Sequence, residues 1–304
     1  MPWKHWPPER IGWCLALQAA AGFSFKAIFV KLAYAVPQAT SVDSVTLLAL
    51  RMLFSLPVFA WVGLRASRDL PPLSSREWIW VGALGLLGYY GASILDFIGL
   101  RYITASLERL ILFTYPTLTL LIGVAFMGKT ASRRELGALV FTYAGIGLAF
   151  AHDLQIAGDT QTVLIGAAFV MASSVSYAFY QAGSETAIRR LGAARFTALA
   201  MLVSTLATLL HFAASQPLHT LAQPAAVYLY ALGMAVFSTV LPVFMTSAAI
   251  RRIGSARTAL IGTLGPMLTI LFGVWLLDEP LSLWQLSGAG LVLAGVLLIS
   301  RMKA

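Results

Sequence analysis

Only 11% of the 304 residues are charged while 59% are hydrophobic, against about 25% charged in a soluble domain. Charge this sparse cannot cover a water-facing surface of that size, which excludes a cytosolic enzyme, a secreted disulfide scaffold and a disordered chain, and makes lipid the main solvent. The net charge of +9 leaves nucleic acid open until the charges are placed, while the single cysteine, Cys14, excludes an intrachain disulfide and a thiolate metal cluster.

A membrane-crossing helix takes about 20 predominantly apolar residues. Read at that length, with Pro, Gly and charge clusters as punctuation, the chain divides into ten predicted spans: 11–36, 43–64, 77–100, 105–127, 135–151, 163–186, 194–212, 225–250, 255–277 and 282–301. The connections are short and leave no room for a soluble catalytic domain. The runs are long and continuous, unlike the alternating ten-residue strands of a barrel. Span 1 has the basic start and the small-residue stretch Ala33–Ala35 of a signal peptide, but it is too long for one and carries Lys26, so it is read as a retained helix.

Several residues along these spans stand out, in chain order. Lys26 lies in the far half of span 1 and Arg51 near the end of span 2 that shares its side of the membrane. Span 3 carries Gly82, Gly85, Gly88 and Gly91 at three-residue spacing, then Tyr89, Tyr90 and Asp96. Span 4 carries Glu108, Arg109, Tyr115 and Pro116. Span 6 carries Tyr177, Phe179 and Tyr180, and span 9 carries Gly265 and Pro266.

The basic residues give the orientation. Lys4, Arg10; Arg65, Arg68, Arg76; Lys129, Arg133, Arg134; Arg189, Arg190, Arg195; Arg251, Arg252, Arg257; and Arg301, Lys303 all fall on one side of the predicted membrane. The opposite loops hold Asp153, Asp159, Asp278 and Glu279. The positive-inside rule places the basic side, and with it both termini, in the cytoplasm. Topology and anionic headgroups thus account for the net positive charge, and a nucleic-acid role loses its motive.

The chain also repeats itself. A shift of 150 residues places Leu100-Arg101-Tyr102-Ile103 on Ile250-Arg251-Arg252-Ile253, Pro116-Thr117-Leu118-Thr119 on Pro266-Met267-Leu268-Thr269, and Ala144-Gly145 on Ala294-Gly295. A shift of 154 places span 1 on span 6, with Gly12 on Gly166 and Phe25 on Phe179. Two units follow, residues 1–155 and 156–304, each of five spans. An odd number of spans turns the second unit over, so the expected fold is an all-α integral membrane protein of ten transmembrane helices in two inverted repeats. Such folds carry solutes by alternating access, with the site between the halves near the midplane.

Three groups of residues are candidates for the mechanism. Lys26, Arg51, Asp96, Glu108 and Arg109 cluster in the outer half of the first repeat, and Tyr180, Thr246, Thr258 and Ala259 replace Lys26, Asp96, Glu108 and Arg109 in the second. Charges at membrane depth are expensive unless paired and mark pathways. They are expected to form an ionic network at an outer gate, with Lys26 also able to meet a substrate carboxylate; a static tie between helix ends is the alternative. Tyr89, Tyr90, Tyr115, Tyr177 and Tyr180 lie away from the interfaces where belt aromatics sit, and with Lys26 are candidates to line a substrate cavity; core packing is the alternative. Pro116 and Gly265-Pro266, near mid-span, are candidate hinges, because proline removes a backbone hydrogen bond and frees the carbonyls of Leu112 and Gly262; a packing kink is the alternative.

No phosphate-binding loop, zinc motif or selectivity ring is present, so no cofactor, metal site or enzymatic centre is expected. The predicted partners are a small-molecule substrate and the lipid bilayer; the sequence gives no oligomeric state. Taken together, the ten spans, the repeated prolines, the turn Asp278-Glu279-Pro280 before span 10 and the segment from Leu95-Asp96-Phe97 through Leu107-Glu108-Arg109-Leu110-Ile111 to Tyr115-Pro116-Thr117 resemble the drug/metabolite transporter superfamily, EamA branch. That resemblance implies a bundle of ten helices, a central cavity lined by spans 1, 3, 4, 6, 8 and 9, and export of amino acids, metabolites or drugs across a bacterial inner membrane. It is similar in kind to broad-range aromatic amino acid exporters. In the first repeat Gly128-Lys129-Thr130 stands where the Glu-Pro turn would be.

Overall fold

The computed structural model describes residues 7–37, 42–127, 133–157, 159–262 and 264–300, and all regular structure among them is helical. Helix α1 (Pro8–Tyr34) opens on proline, whose missing N–H is no loss in a first turn. Helix α2 (Ser44–Ser67) is capped by Asp43, which accepts the N–H groups of Val45 and Thr46 at 2.9 Å each. Helix α3 (Ser75–Gly85) starts from a reciprocal Ser74–Glu77 capping box. It runs into a π-helical turn, Leu86–Gly91, and then α4 (Ala92–Gly99). After α5 (Ala105–Leu112) come α6 (Tyr115–Met127), α7 (Arg133–Ala157), α8 (Thr160–Leu191) and α9 (Ala193–Ser215). Helix α10 (Ala225–Ala235) passes through a second π-helical turn, Val236–Val240, into α11 (Leu241–Gly262). Helices α12 (Gly265–Leu277) and α13 (Leu283–Ser300) complete the described chain.

Seven of the helical runs are long and apolar enough to cross a membrane: Pro8–Tyr34, Ser44–Ser67, Ser75–Gly99, Ala105–Ala125, Thr160–Ser184, Ala193–Ser215 and Ala225–Thr246. Three shorter apolar helices, Val140–His152, Gly265–Leu277 and Leu283–Gly295, fall where spans 5, 9 and 10 are predicted. Trp13, Trp61, Trp78, Trp80, Trp275 and Trp284 are exposed near helix ends, as interfacial residues should be.

Two expectations from the sequence are corrected. Pro116 and Pro266 are not bends within continuous helices. Helix α5 stops at Leu112, and Pro116 stands in the first turn of a new helix; α11 stops at Gly262, and Pro266 stands in the first turn of α12. The proline ring blocks the carbonyl four residues back, and each helix ends at that residue. Second, the boundary predicted between residues 250 and 255 is helical. Gly254 alone does not break it, and the Arg252 guanidinium donates back to the Ala248 carbonyl at 2.9 Å.

Both π-helical turns begin 150 residues apart, at Leu86 and Val236, and so do α6 and α12, at Tyr115 and Gly265. Hydroxyls also reach carbonyls at these turns: Ser176 Oγ donates at 2.7 Å to the Leu87 carbonyl, which accepts the Ala92 N–H as well, and Thr239 Oγ1 donates to Met234 at 3.0 Å.

Small residues set the helix crossings. The backbone of Gly145 on α7 lies directly on that of Gly288 on α13, where an added Cβ on either would meet the other's carbonyl oxygen. In α3–α4 the spaced glycines admit neighbours: Gly85 receives the backbone of Ala200, and Gly88 receives the ring of Tyr180. The largest buried cluster packs Ile28 of α1 and Leu47, Leu48 and Met52 of α2 against Phe97, Met201 and Met234.

Candidate functional site

Helices α1, α4 and α5 meet on one ammonium group. Lys26 Nζ lies 2.8 Å from Asp96 Oδ2 and 3.1 Å from Glu108 Oε1. Both carboxylates are sealed from solvent, whereas the lysine side chain keeps 17% of its exposure. Asp96 Oδ1 and Glu108 Oε2 have no hydrogen-bond partner. Two carboxylates thus share one cation, a buried arrangement that depends on that cation for its stability. Further along α1, a cavity of about 470 Å³ is bordered by Lys31, Tyr34, Arg101 and Tyr102.

The end of α5 beside this network is closed from the other half of the chain. Glu279 accepts the N–H of Ala105 at 2.7 Å, the N–H of Ser106 at 3.3 Å and the Ser106 hydroxyl at 2.8 Å. Thr104 caps the same turn by accepting the Leu107 N–H at 3.0 Å. Helix α5 therefore runs antiparallel to α12, with Ser106 opposite Gly273 at one end and Phe113 opposite Gly265 at the other.

At that second end both chains break. The Leu112 carbonyl displaced by Pro116 accepts the Ser174 hydroxyl at 3.1 Å, and Ser174 also meets Thr114 Oγ1 at 2.7 Å. Across the gap, Ser24 Oγ of α1 donates to the Gly265 carbonyl at 3.0 Å. Near these breaks the displaced Leu112 carbonyl is thus met by Ser174 of α8, while Ser24 of α1 shares its hydroxyl between the carbonyls of Ala20, at 2.8 Å, and Gly265.

Arg109 and Arg51 do not join the Lys26 network. The Arg109 guanidinium lies over the Phe113 ring at 4.9 Å, and its Nε has no hydrogen-bond partner. Arg51 lies over Phe97 at 5.6 Å and donates to the hydroxyls of Thr239 at 3.1 Å and Ser93 at 3.5 Å. Neither arginine pairs with a carboxylate among the described residues.

The tyrosines divide into two sets. Tyr89 and Tyr180 share a hydrogen bond at 2.8 Å between hydroxyls, Tyr180 lies 5.5 Å from Tyr177, and Tyr177 meets Tyr115 edge-on at 5.0 Å. This chain of rings crosses from the π-helical turn through α8 to the α5–α6 break. Tyr90 is separate: its hydroxyl meets His211 Nδ1 of α9 at 2.9 Å. His211, Ser24 and Ser174 carry no motif in the sequence; a polar residue in a mid-span stretch was the available signal for the two serines. Glu279 was marked only as part of a turn.

The family model that describes the EamA-like transporter family matches residues 10–151 and 164–301. The chain belongs to that family. This EamA-like transporter is 31% identical over 278 residues to a protein of Bacillus subtilis (strain 168) named Uncharacterized transporter YcbK, covering 88% of this chain and 86% of that one. It is 26% identical over 314 residues to Uncharacterized transporter sll1319 of Synechocystis sp. (strain ATCC 27184 / PCC 6803 / Kazusa), covering 96% and 94%. A solved crystal structure aligns at a TM-score of 0.65 over 97% of this chain and 98% of its own, at 17% identity, a likeness of fold alone. The EamA-like transporter is a multi-pass membrane protein, and its substrate is a small molecule. The starts of the two matched segments, 10 and 164, differ by 154 residues and their ends, 151 and 301, by 150.

Proposed function

We propose that this transporter exports small organic solutes, chiefly amino acids, aromatic and others over a broad range, by alternating access between two inverted five-helix halves, residues 1–155 and 156–304. Ten spans place both termini in the cytoplasm of a bacterial cell whose inner membrane holds the protein. The observation that carries the reading is the Lys26–Asp96–Glu108 network, which ties α1 to α4 and α5 beside two helix breaks 150 residues apart. A two-state carrier needs a closure that can be undone, and a charge network in one half only closes one face of the membrane and not the other. The tyrosine chain next to it offers apolar faces with polar tips, suited to an amphiphilic solute rather than a bare ion.

A drug or cation exporter is the second reading, favoured by the unpartnered carboxylate oxygens of Asp96 and Glu108. Uptake of radiolabelled amino acids into proteoliposomes, with and without a pH gradient, separates the two. Saturable amino acid flux is expected. Flux of an organic cation with none for any amino acid overturns the first reading.

A further inference from the structure

Of the three intramembrane cations Lys26, Arg51 and Arg109, only Arg109 lacks a hydrogen bond or close ion pair among the described residues. It is 8% exposed. Lys26 is held by two carboxylates within 3.1 Å, and Arg51 has two hydroxyl partners. Arg109 makes no hydrogen bond or ion pair within 4 Å among the described residues; its guanidinium lies over the face of Phe113 and feels the charges of Glu108 and Asp96 only at longer range. A buried guanidinium whose Nε has no acceptor is expensive even with carboxylates at longer range, and an anionic ligand would supply the missing direct acceptor.

A second feature points the same way. The guanidinium is aimed at the start of α12: a Cβ added to Gly265 would lie 2.8 Å from Arg109 Nη2 and 3.0 Å from the Phe113 ring. In the first turn of α12, Pro266 has no N–H and the Leu268 N–H donates to the Leu264 carbonyl at 3.0 Å, so at most the N–H groups of Gly265 and Met267 face a ligand, where the dipole favours negative charge. Broken membrane helices use such ends to hold anionic substrate groups. Next to Phe113 stand Tyr115, at 6.0 Å between ring centroids, and Tyr177 beyond it at 5.0 Å.

We propose that Arg109 and the first turn of α12 form an anion subsite that takes the carboxylate of an aromatic or other amphiphilic organic acid, amino acids included, with the rings of Phe113, Tyr115 and Tyr177 receiving its apolar part. The carboxylate-binding role expected of Lys26 passes to Arg109, and Lys26 is left to the network. This assignment deepens the amino-acid reading and rests on it for its transport setting, while the subsite itself is tested by binding.

The test is ligand-dependent thermal stabilisation of the purified full chain by 3-phenylpropionate and by its uncharged amide, alongside flux of L-phenylalanine and L-phenylalaninamide in proteoliposomes. The carboxylate is expected to bind at least about tenfold more tightly than the amide, the worth of a charge-assisted contact. Arg109→Gln is expected to bring the two within about twofold, and Arg109→Lys to keep part of the preference. Should Arg109→Gln fail to fold, Gly265→Ala, which intrudes only on the mobile end of a side chain and a ring edge, is expected to reduce the same ratio. A wild-type protein that binds acid and amide equally, or a preference unchanged in the folded variants, overturns the subsite. A preference lost with Arg109 in a protein that moves no amino acid supports the subsite and overturns the transport reading instead.

Discussion

Glu279 closes the N-terminus of α5 by accepting the Ala105 N–H at 2.7 Å, across 174 residues of sequence. With the two bonds from Ser106, one carboxylate satisfies much of the first turn of an eight-residue helix, and a negative charge is favoured there by the helix dipole. That helix carries Glu108 and Arg109. Glu279→Ala is expected to destabilise the protein by about 1–3 kcal/mol, seen as a lower thermal unfolding midpoint in detergent. Glu279→Gln, which keeps an acceptor, should lose roughly half as much. Equal midpoints for all three proteins would show that the cap contributes nothing.

Removing Lys26 leaves Asp96 and Glu108 facing each other with no cation. Lys26→Met is expected to destabilise by about 3–5 kcal/mol, the usual result of orphaning a buried charge. Adding Glu108→Gln removes one of the orphaned charges, so the double variant should recover at least about 1 kcal/mol relative to the sum of the single ones. Additive effects in chemical denaturation would contradict the shared-cation arrangement.

The Tyr180 ring lies directly on Gly88, where an added Cβ would collide with it, and its hydroxyl is tied to Tyr89. Gly88→Ala is expected to cost about 1–3 kcal/mol by overpacking, and Tyr180→Phe about 1 kcal/mol by deleting one hydrogen bond. Gly82 has open space where its Cβ would stand, so Gly82→Ala should leave the unfolding midpoint unchanged or raise it. The contrast between two glycines of one spaced series is the check.

The α5–α6 break makes a prediction of rescue. Ser174→Ala strips the Leu112 carbonyl of its hydroxyl donor, and the orphaned acceptor should cost about 1–2 kcal/mol. Pro116→Ala restores an N–H that can reach Leu112, so the double variant should be more stable than Ser174→Ala alone while carrying less flux, because the break has closed. A double variant as unstable as the Ser174→Ala protein would rule out that account of the break.

Much of this fold is legible in hydropathy alone: nine of the ten predicted spans start within a few residues of a helix start, the exception being span 9, because lipid demands long apolar runs whose backbone bonds are satisfied within the run. The meeting of Lys26 with Asp96 and Glu108 was foreseeable, since opposite charges at one depth lower their cost by pairing. Arg51 was grouped with them by depth but packs on Phe97 and Thr239, since depth says nothing about the face of the helix. The π-helical turns were not readable either, because hydropathy reports the length of an apolar run and not which carbonyl each N–H selects within it. The continuity of α11 through Arg251-Arg252 was missed because charge was read as a boundary, although a long side chain on a helix can carry its charge away from the axis.

The crossing of Gly145 and Gly288 has a mechanical meaning. Side chains between two helices act as rollers, allowing small sliding shifts by changes of rotamer. Here backbone rests on backbone, with Leu291 and Val292 packed beside Gly145, so translation of α7 along α13 brings the glycine carbonyl oxygens against the facing backbone before any rotamer can yield. Any relative motion of α7 and α13 is therefore expected to turn about this line like a fulcrum, with travel increasing with distance from it.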